Sequence, residues 1–342
     1  METIDFVITW VDGEDPKWLA EKQKYQNAGR PILLSGDANS DCRYRSDHEL
    51  LRFWFRAVEK FAPWVRTIHF VTCGQKPSWL NEAHPKLTLI NHKDYIPGKF
   101  LPTFNSNTIE LNYHRINGLS EQFVLFNDDM FLLQPISPDF YFKDGNPVLI
   151  SDLRYPRNIG YNNWSRVIFN DYCVLQNSIN MKDSILDNRR KWFCFSELGA
   201  KRVRQNFLSF LVNKSIPIHL YGHLSLPHLK SSLQTIWERW SDVMDITCSS
   251  RFRSDEQVNQ WLLCGWNQAL GKFYPAHEKN RGKNFSISPN NLEEVRNAIL
   301  SQAYPQICIN DTGNNTDPQR VSNELIEAFS QILPKKSEFE LD

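Results

Sequence analysis

Short apolar runs alternate with amphipathic segments through the first 150 residues, and this alternation limits the fold more than any other feature of the sequence. The strand-like runs cover 4–11, 68–72, 87–91 and 124–126, and helical patterns cover 17–28, 46–61 and 108–117. Strands that alternate with helices predict a parallel sheet with helices on its faces. We therefore expect an α/β fold with a Rossmann-type central sheet and flanking helices.

The second half of the chain is predicted to be mainly helical. Apolar residues recur at helical spacing over 162–181, 197–214, 291–302 and 321–333. Strand-like runs in this half occur at 148–151 and 307–309. We expect a largely helical insertion here, followed by a frayed tail over 334–342.

Two adjacent carboxylates follow the fourth strand-like run. Asp128 and Asp129 come after Asn127, directly behind the apolar run, so they lie where the strand ends. Open α/β sheets bind ligands at the carboxyl ends of their strands, and Mg²⁺ takes one or two carboxylates together with water and substrate phosphates. The sequence predicts a Mg²⁺ site here, with an Asx-rich turn as the alternative. Asn310 and Asp311 repeat the pattern after the last strand-like run.

The first strand-like run ends in an acidic turn that contains Asp12 and Pro16. The carboxyl end of a first strand is a common place for an α/β protein to hold a nucleotide, and an ordinary strand-to-helix turn is the alternative. No GxGxxG fingerprint is present, so a dinucleotide cofactor is not indicated.

A loop rich in histidine offers a base for proton transfer. His219, His223 and His228 lie in one segment that also contains Pro and Gly, and a neutral imidazole works as a base near neutral pH. The spacing is not HExxH, so zinc is not indicated.

Arginines beside predicted helix starts offer an anion clamp. Arg251 and Arg253 precede the sequence Ser-Asp-Glu-Gln at 254–257, a capping box that predicts a helix start. Guanidinium groups beside a helix N-terminus can bind a phosphate, and a solvated basic face is the alternative. Arg43, Arg45 and Arg52, which lie before and in the helix predicted at 46–61, form a second candidate set.

The charge balance and the cysteines limit the class of protein. The chain has 342 residues, with 39 Lys and Arg against 39 Asp and Glu, and this balance gives no support for nucleic-acid binding. The 7 cysteines are odd in number and include no CxxC pair, so a reducing compartment is expected. The sequence has no signal peptide and no bilayer-length apolar run, so we expect a cytoplasmic protein.

Four blocks of motifs follow one another along the chain. The first contains Trp10-Val11-Asp12-Gly13, and the second contains Pro102-Thr103-Phe104-Asn105-Ser106 and Asn127-Asp128-Asp129. The third contains Leu226-Pro227-His228 and Arg251-Phe252-Arg253, and the fourth contains Cys308-Ile309-Asn310-Asp311. Together these blocks resemble the Stealth proteins, a family that contains bacterial capsular-polysaccharide phosphotransferases and the animal GlcNAc-1-phosphotransferase α/β subunits.

The resemblance implies a GT-A-like nucleotide-sugar-transferase fold. It also implies transfer of a sugar 1-phosphate from UDP-GlcNAc or a related UDP-hexose to an acceptor hydroxyl, with release of UMP, in bacterial capsule or exopolysaccharide synthesis. The implied cofactor is Mg²⁺ or Mn²⁺. The implied acceptor is a glycan or a lipid-linked oligosaccharide, which would bring the enzyme into peripheral contact with the inner face of the cell membrane.

The resemblance assigns a role to each candidate site residue. The metal would be held by Asp128, Asp129, Asn310 and Asp311. His228 would take the acceptor proton, while Arg251 and Arg253 would bind the transferred phosphate. The uridine pocket would be lined by Thr9, Trp10, Val11 and Asp12, and further donor contacts would come from Asn105 and Ser106.

We expect one catalytic domain over 1–333, with a nucleotide-sugar-binding lobe at 1–150, a helical acceptor region at 151–214 and catalytic and closing elements at 215–333. Two other functions stay open. An ordinary GT-A glycosyltransferase would share the donor and the metal, but it would attack the anomeric carbon and release UDP. A non-catalytic carbohydrate-binding protein is favoured only by the abundant aromatic residues, among them 11 Trp and 22 Phe.

Overall fold

The structure is a computed structural model that describes residues 3–28, 48–154, 163–212, 223–288, 290–311 and 317–341. The predictions for Arg43, Arg45, His219 and the start of the 46–61 helix lie outside these residues.

Strands and helices alternate through the first half as the sequence predicts. The strands are β1 (Ile4–Thr9), β2 (Ile68–Thr72), β3 (Leu87–Asn91), β4 (Gln122–Asn127), β5 (Met130–Leu132), β6 (Phe142–Lys143), β7 (Asn146–Ile150), β8 (Leu226–Leu229), β9 (Tyr274–Ala276), β10 (Lys283–Ile287) and β11 (Gln306–Asp311). The helices are α1 (Pro16–Ala28), α2 (His48–Phe61), α3 (His92–Tyr95), α4 (Ser106–Leu111), α5 (Asn163–Ser178), α6 (Met181–Asp187), α7 (Arg189–Trp192), α8 (Phe195–Val212), α9 (Lys230–Arg239), α10 (Ser241–Ser249), α11 (Trp261–Ala269), α12 (Leu292–Leu300) and α13 (Pro318–Ile332). Among the described residues, no helix is long and apolar enough to cross a bilayer.

A five-stranded sheet in the order β3-β2-β1-β4-β8 forms the centre of the fold. The strands β1 to β4 are parallel, and β8 runs antiparallel to β4 at the edge. The predicted α/β class is confirmed, because the four strand-like runs of the first half are the parallel part of this sheet. The strand order reverses between β1 and β4, where α/β sheets open a ligand crevice.

Apolar side chains cover both faces of this sheet because alternate residues of a strand point to opposite sides. In β4, Val124 and Phe126 belong to one core cluster, whereas Phe123 and Leu125 belong to another. A second sheet, β10-β11-β5, is joined to the first through the short turn between β4 and β5. A third sheet, β6-β7-β9, packs beside the helical segment formed by α5 to α8.

The segment from Arg251 to Gln260 is not helical, so the predicted helix start at Ser254 is wrong. Gln257 is buried, where its Nε2 donates to the Phe252 carbonyl at 3.0 Å and its Oε1 accepts from Asn107 Nδ2 at 2.9 Å. These tertiary hydrogen bonds replace the local capping box, and α11 begins only at Trp261.

The prediction of a frayed tail is also wrong. Phe339 is buried, and the Glu340 carboxylate accepts from Arg56 Nε at 2.7 Å and from Arg56 Nη2 at 2.8 Å. The Leu341 amide donates to the Trp79 carbonyl at 2.7 Å. The tail is held against the α2 side of the sheet by partners that are distant in sequence.

Candidate active site

A pocket opens at the carboxyl ends of β1 and β4, where the strand order reverses. Thr9 and Asn127 are aligned across the two strands, and both line this pocket. Trp10 and Val11, which follow β1, also line it, as does Ser106 at the start of α4. The location is the one that sheet topology predicts for a nucleotide.

The two pairs of residues predicted to bind a metal meet in this pocket. Asp128 and Asp129 form the turn between β4 and β5, and Asn310 and Asp311 end β11. The strands β5 and β11 pair in antiparallel register with Met130 opposite Cys308, and the Ile309 amide donates to the Asp129 carbonyl at 2.8 Å. This register brings the end of one strand beside the start of the other.

The imidazole of His223 is paired with the Asp129 carboxylate. His223 Nε2 is 3.2 Å from Asp129 Oδ2 and 3.4 Å from Asn127 Nδ2. Burial acts to lower the pKa of His223, but the Asp129 carboxylate outweighs burial, so the net shift is upward. Burial likewise acts to raise the pKa of Asp129, and the neighbouring imidazole reverses that effect. Each group therefore favours the charged form of the other.

A further carboxyl group of the pocket, that of Glu110, was not assigned a role from the sequence. It is buried one turn into α4 and lines the pocket. Burial raises its pKa to about 7, and the charges of Arg253 and His223 limit that rise. A carboxyl group that titrates near neutrality in a cleft is typical of functional sites.

Of the two predicted phosphate-binding arginines, the structure brings one to the pocket. Arg253 lines the pocket and donates from Nη2 to Ser106 Oγ at 2.8 Å. Arg251 is not among the lining residues, because its guanidinium lies 4.6 Å from the Tyr25 ring centre and donates to the Pro102 carbonyl. Arg251 therefore holds the loop before α4 in place.

The structure does not bring His228, the predicted proton acceptor, to the pocket. His228 lies on β8 opposite Phe123, so its ring points into the core on that face of the sheet. It is 1% exposed, and its Nε2 is 2.9 Å from Gln260 Oε1. Burial lowers the pKa of His228 to about 4. His223, five residues earlier and just before β8, occupies the pocket instead.

Two predicted donor contacts also lie outside the residues that line the pocket. Asp12 Oδ1 accepts from the Glu14 amide at 3.0 Å, so this carboxylate stabilises the turn after β1. Asn105 is fully buried as the N-cap of α4, where its Oδ1 accepts from the Asn107 amide at 3.1 Å and its Nδ2 donates to the Ser250 carbonyl at 3.1 Å. Both residues shape the backbone around the pocket.

The donor atoms of the pocket fit a divalent cation. Asp129 Oδ1 is buried and has no hydrogen-bond partner among the described residues, which is the state expected of an oxygen that binds a cation. Single donor atoms of Asp129, His223 and Cys308 lie within 4.8 Å of one another. Burial raises the pKa of the Cys308 thiol well above its usual value, so this sulfur stays protonated and the carboxylate and amide oxygens are the better ligands. Such a set matches Mg²⁺ or Mn²⁺ more closely than a thiolate-binding metal.

Comparison with known proteins relates this chain to one family. Residues 2–30 match conserved region 1 of the Stealth proteins, and residues 43–149 match conserved region 2. The capsular polysaccharide phosphotransferase WcwK of Streptococcus pneumoniae is 37% identical over 342 residues, which is 99% of each chain. The receptor polysaccharide phosphotransferase WefC of Streptococcus oralis is 38% identical over 344 residues, which is 100% of each chain. A crystal structure of the galactosyltransferase LgtC with donor and acceptor sugar analogues aligns over 98% of both chains, at 11% identity and a TM-score of 0.38.

Proposed function

Because this chain belongs to the Stealth family, and its relatives over the whole length are polysaccharide phosphotransferases, we propose that it transfers a sugar 1-phosphate from a UDP-sugar to a hydroxyl of a glycan acceptor. The second product is UMP, and the setting is capsule or exopolysaccharide synthesis. The observation that carries this proposal is the convergence of Glu110, Asp129, His223 and Arg253 on one pocket at the ends of β1 and β4. That pocket combines a base, a cation site and a guanidinium where a nucleotide sugar would bind.

The reaction is a displacement at the phosphorus that carries the sugar. The acceptor oxygen forms a bond to this phosphorus, the bond between phosphorus and the bridging oxygen breaks, and UMP leaves with the bonding electrons. The acceptor proton passes to His223 Nδ1, while the Nε2–H on the other side of the ring faces the Asp129 carboxylate at 3.2 Å, which stabilises the imidazolium that forms. Arg253 supplies planar donors to the phosphate oxygens, on which negative charge increases in the transition state.

The two carboxylate oxygens of Asp129 have different roles in this site. Oδ2 faces His223, whereas the unpartnered Oδ1, together with Asp128, Asn310 and Asp311, would hold Mg²⁺ or Mn²⁺. When bound, such an ion neutralises the diphosphate and acts as a Lewis acid. Thr9, Trp10 and Val11 are the residues that would meet the nucleoside end of the donor. A nucleotide donor and a lipid-linked acceptor meet at the inner face of the cell membrane, and we place the enzyme there.

The position of the β-phosphorus after turnover tests this function. UDP-GlcNAc and related UDP-hexoses, labelled at the β-phosphorus, are incubated with Mg²⁺ and a panel of soluble alkyl glycosides. We expect labelled acceptor and unlabelled UMP. Labelled UDP with unlabelled acceptor would show an ordinary glycosyltransferase. Donors that stay intact with every acceptor would favour a carbohydrate-binding protein.

The two arginines should differ when each is replaced by lysine. Lysine keeps the charge but loses the planar fork, so Arg253→Lys should lower kcat by about 10²-fold and change the KM for the UDP-sugar much less. Arg251→Lys is the matched control, because Arg251 contacts Pro102 and Tyr25 outside the pocket. Steady-state kinetics at saturating acceptor measure both. Equal losses in the two variants would show that these arginines act through the loop before α4 and not on phosphate.

A further inference from the structure

Exposed apolar side chains are concentrated in one part of the described chain. Eleven large apolar side chains are exposed there, and eight of them lie between residues 164 and 212: Trp164, Phe169, Leu186, Phe195, Phe207, Leu208, Leu211 and Val212. Scattered exposed apolar residues are normal, whereas neighbouring ones at one end of a helix form the kind of patch that marks an interaction surface. We call the four that end α8 (Phe207, Leu208, Leu211 and Val212) the α8 tip.

The orientation of α8 is fixed by its buried side. Val203 and Asn206 face the core, and Asn206 Nδ2 donates to the carbonyls of Ser151 at 3.1 Å and Trp192 at 2.9 Å. The opposite face is therefore held outward. Val212 is 78% exposed and Leu211 is 59% exposed, so the α8 tip projects apolar surface into solvent.

Basic side chains lie behind this tip on the same face of the helix. Lys201 and Arg204 are exposed, and the spacing of 201, 204, 208 and 211 places them on one stripe with Leu208 and Leu211. At the rise of an α-helix, Arg204 lies about 10 Å behind Leu211 along the axis. Arg189 and Arg190 of α7 are exposed as well, and Lys182 Nζ lies 5.8 Å from the Phe210 ring centre.

The charge of the chain is distributed unevenly around this segment. Residues 151–214 contain 11 Lys and Arg and 5 Asp and Glu, a net charge of +6. Because the whole chain has a formal net charge of +0, the remainder carries −6. Two other partners fit less well. An acidic protein surface would not require the apolar α8 tip. A second copy of this chain would bring together two segments that each carry a net charge of +6. An anionic lipid bilayer provides both an apolar interior and a negatively charged surface.

We propose that the α8 tip inserts into the headgroup boundary of an anionic bilayer, with Lys201 and Arg204 at the level of the lipid phosphates. The helix then enters the headgroup region end-on, and the roughly 10 Å along its axis between Arg204 and Leu211 is comparable to the depth of about 5–10 Å that the apolar side of an interfacial helix reaches. Stable binding needs two signals, and here they are apolar insertion and the attraction between cations and anionic lipid. This is a direct contact of the protein with lipid; its value for catalysis rests on the proposed function, since it would hold the pocket beside a lipid-linked acceptor.

Vesicle co-sedimentation tests this contact. The full chain is mixed with vesicles of phosphatidylcholine alone, or of phosphatidylcholine with about one third phosphatidylglycerol. We expect binding to the anionic vesicles that weakens as NaCl is raised. Leu208→Glu/Leu211→Glu and Lys201→Glu/Arg204→Glu should each lower the partition coefficient by about tenfold or more. Ile246→Glu, at an apolar position of α10 that is 53% exposed, and Lys335→Glu are the matched controls and should bind like the wild type.

Three results would overturn the contact. The first is that the wild type does not bind anionic vesicles, and the second is that the control variants lose as much vesicle binding as the α8 variants. The third is a wild-type dimer in solution that the α8 variants dissociate, which would show that a second copy covers the α8 tip. Thermal unfolding checks that each variant is folded. The vesicles contain no donor or acceptor, so failure here is separate from failure of the transfer reaction, which is assayed on the wild type with a soluble glycoside.

Discussion

Asp129→Asn should reduce transfer of the sugar phosphate by about 10³-fold or more, because one substitution weakens two interactions. It neutralises the carboxylate that stabilises a protonated His223, and it removes the negative charge from the oxygen left for the cation. The fold should survive, since asparagine has the same shape and the Asp129 carbonyl still accepts from the Ile309 amide. Single-turnover transfer of the β-phosphorus label measures the chemical step.

Asp128→Asn and Asp139→Asn are the comparisons for this prediction. Asp128 lines the same pocket but is not the carboxylate paired with the imidazole, so its loss should be smaller than that of Asp129→Asn. Asp139 is exposed outside the pocket, and its variant should match the wild type. If Asp129→Asn kept transfer within about tenfold of the wild type, neither the cation site nor the imidazole pair would be essential.

The parts of this molecule that the sequence predicts well are those set by local patterns. Each parallel strand is a short apolar run bounded by turn residues, and Asp128 and Asp129 follow such a run directly. Placement at the strand end is therefore a consequence of sequence order. That Asn310 and Asp311 lie beside them could be expected from the repeated motif. The register that achieves it, Met130 opposite Cys308, depends on pairing between residues far apart in sequence.

The errors share a physical cause, which is that long-range contacts override local signals. Ser254 has a good capping sequence, but Gln257 is drawn into a buried bond with Asn107. The tail has no helical or strand pattern, yet Arg56 pairs with Glu340. For the histidines, the sequence cannot tell that 226–229 is an edge strand. In a strand, alternate side chains point to opposite faces of the sheet, and His228 is on the face that packs into the core. His223 precedes the strand and lies at the pocket.

His223→Gln and His228→Gln should therefore give opposite results. Loss of a general base costs about 10²–10⁴-fold in rate, so His223→Gln should lower single-turnover transfer by that amount while donor affinity changes little. His228→Gln should keep the transfer rate, because residue 228 is buried away from the pocket. Transfer assays and donor titration by calorimetry separate chemistry from binding in both variants.

His228 should instead be visible in the pH dependence of stability. Its pKa falls from 6.5 to about 4 on burial, so the folded state keeps the imidazole neutral at pH values where the unfolded chain is already protonated. The stability contributed by this group is present above pH 6.5 and is lost as the pH falls towards about 4, by at most about 3 kcal/mol. Glutamine does not titrate, so His228→Gln should flatten this part of the acid limb when the free energy of unfolding is measured with urea across that range. If His223→Gln kept normal transfer and His228→Gln abolished it, His228 and not His223 would be the general base.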